Sequence, residues 1–311
     1  MNADSTFVLT PQDLLNFQDL PIIRRGRSFV LHTNKGQRLI DCWRADGRAL
    51  LGHSIPHLHN AIKNRMEHHC PPCMPHADMR QVLAWFRRQI PERVPFLVAD
   101  RSGLSEALVL LGVSGDTSWA DLRYTTPQHQ GSLLTGKPVH SSSVYAVWQP
   151  FLPKPEVGIL LPVLPYPSAT GPFVLLADAQ VADNLTEEKK ARLYRLSLLT
   201  HPADLAGLMR ILPLSAVLGV FGNPVQDSVM DVHESAVGVW NEENWSKTKA
   251  DKWLRQGPYL YAKHDDDAYR QVFKVALAKG VLLNPRQSGA SILPGTLTRG
   301  ERALLSSVLA L

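Results

Sequence analysis

Nine prolines fall between positions 127 and 172: Pro127, Pro138, Pro150, Pro153, Pro155, Pro162, Pro165, Pro167 and Pro172. Proline lacks a backbone N–H and clashes with the preceding turn of a helix, so no long helix can cross this stretch. The middle of the chain must therefore be turns and short extended segments, which excludes an all-helical fold. Apolar runs suited to strands lie in and beside it, at 144–148 (VYAVW), 157–161 (VGILL) and 173–177 (FVLLA).

On either side the patterns alternate between strand and helix. Residues 28–41 read as a hairpin, with SFVLHT and QRLID flanking the turn residues Asn34, Lys35 and Gly36. A helix is expected at about 56–67, opened by Pro56, with Leu58, Ile62 and Met66 on one face. A second is expected at 77–90, where Met79, Val82, Leu83, Phe86 and Ile90 share a face. Pro91 ends it. The short strand Phe96–Ala99 then runs through Ser102-Gly103 into a helix over residues 106–111, and free N–H groups at such a helix start can hold an anion.

A charged helix is expected at 186–199, and residues 241–256 read as a loop with a short helix. A helix around Tyr269–Leu277, closed by Gly280, leads to strands at 281–283 and 291–293 and a last helix at 299–310. Strands alternating with helices imply an α/β centre, with smaller α+β pieces at the two ends. The expected division is 1–80, 81–240 and 241–311.

The chain has 311 residues, enough for about two domains. Its hydrophobic share of 44% and charged share of 20% are those of a globular protein rather than a disordered one. The formal net charge of +5 does not demand a nucleic-acid or membrane partner, and neither is expected. No apolar run is long enough for a membrane span. The first residues lack a signal peptide's pattern, and three cysteines fit a reducing compartment, so a cytoplasmic location is expected.

Four stretches, in order, resemble a known family. Residues 36–41 (GQRLID) with 51–57 (LGHSIPH) resemble "DGN-x-YID … LGH-x-HP". Residues 90–92 (IPE), 96–98 (FLV) and 102–107 (SGLSEA) resemble "VP … VRFVNSGTEA". Residues 175–180 (LLADAQ) resemble "LLIVDEVQ", and 278–285 (AKGVLLNP) resemble "EEGVYLAP". The family is the class III aminotransferases of the glutamate-1-semialdehyde aminomutase kind, which have the fold-type I pyridoxal-phosphate (PLP) dependent transferase fold. The ends match best, residues 112–260 match poorly, and the chain is shorter than a standard member.

The resemblance implies a fold-type I-like central sheet with small terminal α+β parts, and a homodimer in which the N-terminal apolar faces pack across a two-fold axis. It implies that Ser102, Gly103 and Ser105 hold the cofactor phosphate, that Asp178 pairs with the pyridine nitrogen, and that His129 stacks on the ring. Each has a plainer reading: Ser102-Gly103 and Asp178 as helix caps, and His129 as a loop residue. In the position of the expected Schiff-base lysine stands Arg210, which stays protonated and cannot form an imine. Its plainer reading is a surface arginine. An alternative threading brings Lys189 or Lys190 toward that position, although both lie on what reads as a solvated helix. The implied function is an aminotransferase-like protein that is non-catalytic or altered, with PLP as a possible cofactor not covalently bound. The alternative is an active aminotransferase or aminomutase acting on an amino or keto acid. Separately, Cys70 and Cys73 with the neighbouring His68, His69 and His76 have zinc-ligand or dithiol spacing, against the reading of an ordinary loop.

Overall fold

The computed structural model describes residues 10–55, 57–68, 71, 73–113, 119–121, 145–149, 151–152, 154–166, 171–217 and 247–311. These fall into two compact units.

The first unit joins both ends of the chain, from the described parts of residues 1–54 and 226–311. Helix α1 (Pro11–Gln18) opens with a capping box in which Thr10 and Asp13 exchange hydrogen bonds. Strands β1 (Ile23–Arg27), β2 (Val30–Thr33) and β3 (Arg38–Asp41) form an antiparallel meander. The β2–β3 turn is where the sequence puts it, with Gly36 at φ +82. The predicted domain division at 80 and 240 differs from the observed one because β11 (Val281–Leu282) pairs parallel with β3, setting Val281 beside Ile40 and Leu282 beside Asp41. The first and last family-like motifs thus meet in one sheet, of order β1-β2-β3-β11.

The rest of this unit is helix α8 (Lys247–Lys252), the hairpin β9 (Trp253–Gln256) and β10 (Tyr259–Ala262), helix α9 (Asp266–Ala278), strand β12 (Ser291–Ile292) and helix α10 (Arg299–Val308). Asp265 caps α9, which buries Tyr269, Val272, Phe273 and Ala276. These join Leu39, Leu282, Leu293 and Leu305 in the core.

The second unit comprises the described parts of 55–122 and 131–225. Its sheet has the order β4-β8-β7-β6-β5, from β4 (Arg93–Val98), β5 (Trp119–Asp121), β6 (Tyr145–Trp148), β7 (Ile159–Pro162) and β8 (Phe173–Asp178). β5, β6 and β7 are parallel, while β8 runs antiparallel to both β7 and β4. The unbroken apolar run of β8 suits a strand covered on both faces, and Phe173 to Ala177 are all buried. Helices α4 (Arg101–Leu110), α5 (Ala179–Asp183) and α6 (Glu187–Leu198) follow the same sheet, and Ala107, Leu110, Leu193 and Leu196 join its core.

Helices α2 (Leu58–Glu67) and α3 (Ala77–Gln89) pack against α7 (Pro202–Val217). Met79, Val82 and Phe86 of α3 and Leu58 of α2 are buried within the chain itself. The chain itself covers these four side chains. Ile62 and Leu83 are partly open and Met66 is 58% exposed. Pro56 lies outside the described residues, and α2 begins after His57, whose φ of +61 sets the chain's turn into it.

Candidate functional site

Strand β4 delivers the chain to a turn and then to α4, as the sequence suggests. The cap, however, is Asp100: its Oδ1 accepts the Gly103 N–H at 2.8 Å. Ser105 Oγ donates to the Arg101 carbonyl at 3.1 Å, one turn back. Gly171, at φ +143, lies so close that a Cβ there would stand 2.1 Å from the Ala99 carbonyl oxygen. The three residues expected to hold a phosphate, Ser102, Gly103 and Ser105, are together within the first five residues of α4. One donor is already satisfied by a carboxylate, and a phosphate arriving there meets a like charge. Aspartate is a preferred cap residue, so this signal was in the sequence, two positions before Ser102.

Asp178 is elsewhere. The β4–β8 register sets Asp178 opposite Arg93 and Phe173 opposite Val98. At about 3.4 Å per residue, the five steps from Arg93 to Val98 put roughly 17 Å of strand between Asp178 and the α4 turn. That exceeds the reach of one PLP molecule from phosphate to ring nitrogen. The expected pairing of Ser102, Gly103 and Ser105 with Asp178 around one cofactor is therefore corrected: antiparallel β8 carries Asp178 to the opposite end of the paired strands. There Asp178 caps α5 through the Gln180 N–H at 2.9 Å. Arg93 donates to the carbonyls of Val157 at 2.5 Å and Gly158 at 3.2 Å. Burial lowers the Arg93 pKa, and the Asp178 carboxylate opposes that shift.

Arg210 lies within helix α7, half-buried. Lys189 and Lys190 occupy the first turn of α6; Thr186 caps the Lys189 N–H, and the Lys190 ammonium meets Glu187 Oε1 at 2.8 Å. It is Leu196, seven residues or about 10 Å further along that helix, that packs against the Gly103 position. The other lysines among the described residues of this unit are Lys63, on exposed α2, and Lys154, paired with Glu92 beside the start of β4. His129, His69 and Cys70 lie outside the described residues. His76 Nδ1 accepts the Asp78 N–H at 3.1 Å, and Cys73 is exposed. Among the described residues no group of three or more His, Cys, Asp or Glu is placed to hold a metal.

The first unit contains a buried polar cluster that sequence reasoning missed. Asp41, the last residue of the GQRLID motif, accepts the backbone N–H groups of Trp43 and Arg44 at 2.9 Å, and its Oδ2 is 2.7 Å from His53 Nε2. Arg44 is fully buried, donates to the Leu50 carbonyl at 3.0 Å and stacks 4.2 Å over the Phe29 ring. Burial depresses its pKa to about 10 and pushes the neighbouring Cys42 thiol up to about 12. Arg44, Ala45 and Asp46 all have positive φ. Asp46 is pinned by the Trp43 indole and the Asn284 amide, both at 3.1 Å. A motif match can mark Asp41, but nothing local marks an arginine that folds inward.

No family model matches the sequence, and no curated protein does. Solved structures do match. Among them, the chain is similar to a Plasmodium falciparum ornithine δ-aminotransferase at 10% identity, covering 93% of this chain and 92% of that one, TM-score 0.63. It is similar to an ω-transaminase from Sphaerobacter thermophilus at 9% identity, covering 93% and 90%, TM-score 0.60. It is also similar to a Pseudomonas aeruginosa glutamate-1-semialdehyde aminomutase in complex with PMP, at 11% identity, covering 93% and 86%, TM-score 0.61. The chain has the PLP-dependent transferase fold. Within that fold, the α4 turn is capped by its own aspartate, and Asp178 stands at the end of β8 away from that turn.

Proposed function

We propose that this chain is a non-catalytic relative of the aminotransferases, keeping the fold while making no imine with PLP. The observation that carries this reading is the β4–β8 register, which separates Asp178 from the α4 turn. The positions of the described lysines in that unit support it, since none follows a sheet strand on the side of that turn. PLP itself is the ligand class to test, as solved neighbours include a transaminase with PLP bound.

The experiment is an absorbance scan of the purified chain incubated with PLP, followed by borohydride reduction and peptide mass mapping. The expected result is no aldimine band and no pyridoxyl-lysine. A reduced pyridoxyl group on Lys189, Lys190 or any other lysine overturns the reading and favours an active enzyme on an amino or keto acid. The homodimer belongs to the same proposal, supported by the open Ile62–Met66 strip on α2. Light scattering at micromolar concentration tests it, and a monomer refutes it.

A further inference from the structure

From Leu20 to Ile40 the chain has Arg24, Arg25, Arg27, Lys35 and Arg38 and no acidic residue, so this short meander carries a charge equal to the +5 of the whole chain. The register sets Arg25 opposite His32, and His32 opposite Arg38. Bases in a row across three strands repel one another unless an anion answers them. Among the described residues only Glu301 does so, at 2.8 Å from Arg38.

Against this meander lies a cleft of about 620 Å³, within the range of small-molecule sites. It is bounded by the segment leaving α1, the β2–β3 turn and the last turns of α9. Leu20, Ile22 and Leu277 give it an apolar side, and Lys35 and Lys274 stand at its edge. Both lysines are exposed, and neither makes an ion pair among the described residues. Asp19, the acid in the lining, is already held by Arg270 at 3.0 Å. Gln37, also in the lining, donates to the Leu277 carbonyl at 3.1 Å. Ile22 is 71% exposed, an apolar side chain left in water beside a cluster of cations.

We propose that this cleft binds a phosphate group carried on an apolar body, with Lys35 and Lys274 on the phosphate and Leu20, Ile22 and Leu277 against the apolar part. The surrounding arginines raise the local concentration of such an anion. A second copy of the chain is a poorer occupant, because a two-fold contact through this patch brings the same arginines face to face.

The test is calorimetric titration of the full chain at low salt with dihexanoyl phosphatidylglycerol below its micelle concentration, with glycerol 3-phosphate and with inorganic phosphate. Saturable binding of the lipid is expected, weakened at least about tenfold by Lys35→Glu combined with Lys274→Glu. Ile22→Ser is expected to weaken it about threefold. All three side chains are exposed, so the variants should fold, which a thermal melt checks. Retention of the chain on phosphatidylglycerol vesicles but not phosphatidylcholine vesicles supports the proposal and names a bilayer as the source. Binding of the monomeric lipid without vesicle retention supports it and names a soluble phosphate ester. Absence of saturable lipid binding, or binding unchanged in the double lysine variant, overturns it. Inorganic phosphate binding as tightly as the lipid overturns the apolar half. Self-association that disappears in the lysine variant, with no lipid binding, overturns it in favour of a second copy.

Discussion

Replacing Asp100 separates two roles that its carboxylate holds at the start of α4. Asp100→Ala removes the acceptor for the Gly103 N–H, now at 2.8 Å, and loss of such a cap costs about 1 kcal/mol. It also removes a negative charge from the positive end of the helix, about 0.5 kcal/mol for an exposed group. Asp100→Asn keeps the acceptor and loses only the charge. Scanning calorimetry should therefore show a fall of about 3–6 °C for the alanine variant, at 2–4 °C per kcal/mol for a chain of this size, and a much smaller one for asparagine. The alanine variant also frees a donor for an external anion. At tenfold excess over its dissociation constant, phosphate would restore about 1.4 kcal/mol, nearly the whole loss, while the parent gains nothing. An unchanged melting temperature in Asp100→Ala would sink the capping argument. A phosphate-dependent rise in the parent equal to that in the variant would show that Asp100 does not close the turn.

Gly171→Ala places a Cβ 2.1 Å from the Ala99 carbonyl oxygen at a φ of +143, so a loss of about 2–4 kcal/mol is expected in denaturant titration; a loss too small to measure refutes it. Burial raises the Glu301 carboxyl, but hydrogen bonds from Thr298 and the Arg38 guanidinium outweigh that and hold it below its ordinary value. Its contribution is present above the unfolded-state value and lost as pH falls through the lower folded one. Glu301→Gln should therefore melt below the parent at neutral pH and converge with it in acid, and a gap that persists in strong acid counts against the assignment. Cys42, buried with its thiol pushed up to about 12, should stay unmodified by iodoacetamide in the native chain at pH 8 while exposed Cys73 reacts; peptide mapping that finds Cys42 alkylated contradicts this.

The elements legible in the sequence are those whose burial is one-sided or complete. α3 shows its buried face as Met79, Val82 and Phe86, and β8 shows itself as an unbroken apolar run. α7 escaped because it is apolar on most sides and contains Pro213, which reads as a break. β1, Ile-Arg-Arg-Gly-Arg, escaped because four of its five residues are exposed and no alternation marks it. β9 falls in the stretch 241–256, which reads as a loop with a short helix, because it buries only Trp253 fully. At the candidate site, the turn and its helix were legible, and the error lay in Asp178. A strand's direction is set by the partner it finds in the sheet, so five apolar residues cannot say which end of the sheet the aspartate after them will reach. Arg44 is the complementary case, since its burial depends on Phe29 and Leu50, brought to it by the fold.

The parallel pairing of β11 with β3 has a consequence for how the protein is made. On a ribosome, β1, β2 and β3 emerge first, but the strand that completes their sheet follows Asp41 only about 240 residues later. Until then β3 presents a bare edge ending in Ile40 and Asp41, open to any other unpaired strand nearby. The second unit, contiguous but for its excursions, can condense while the first is still waiting. The interval between those two events is when this chain is most exposed to misassembly. A nascent chain stalled before residue 281 should bind chaperones through its N-terminal meander, and release should follow once Val281 and Leu282 have cleared the exit tunnel.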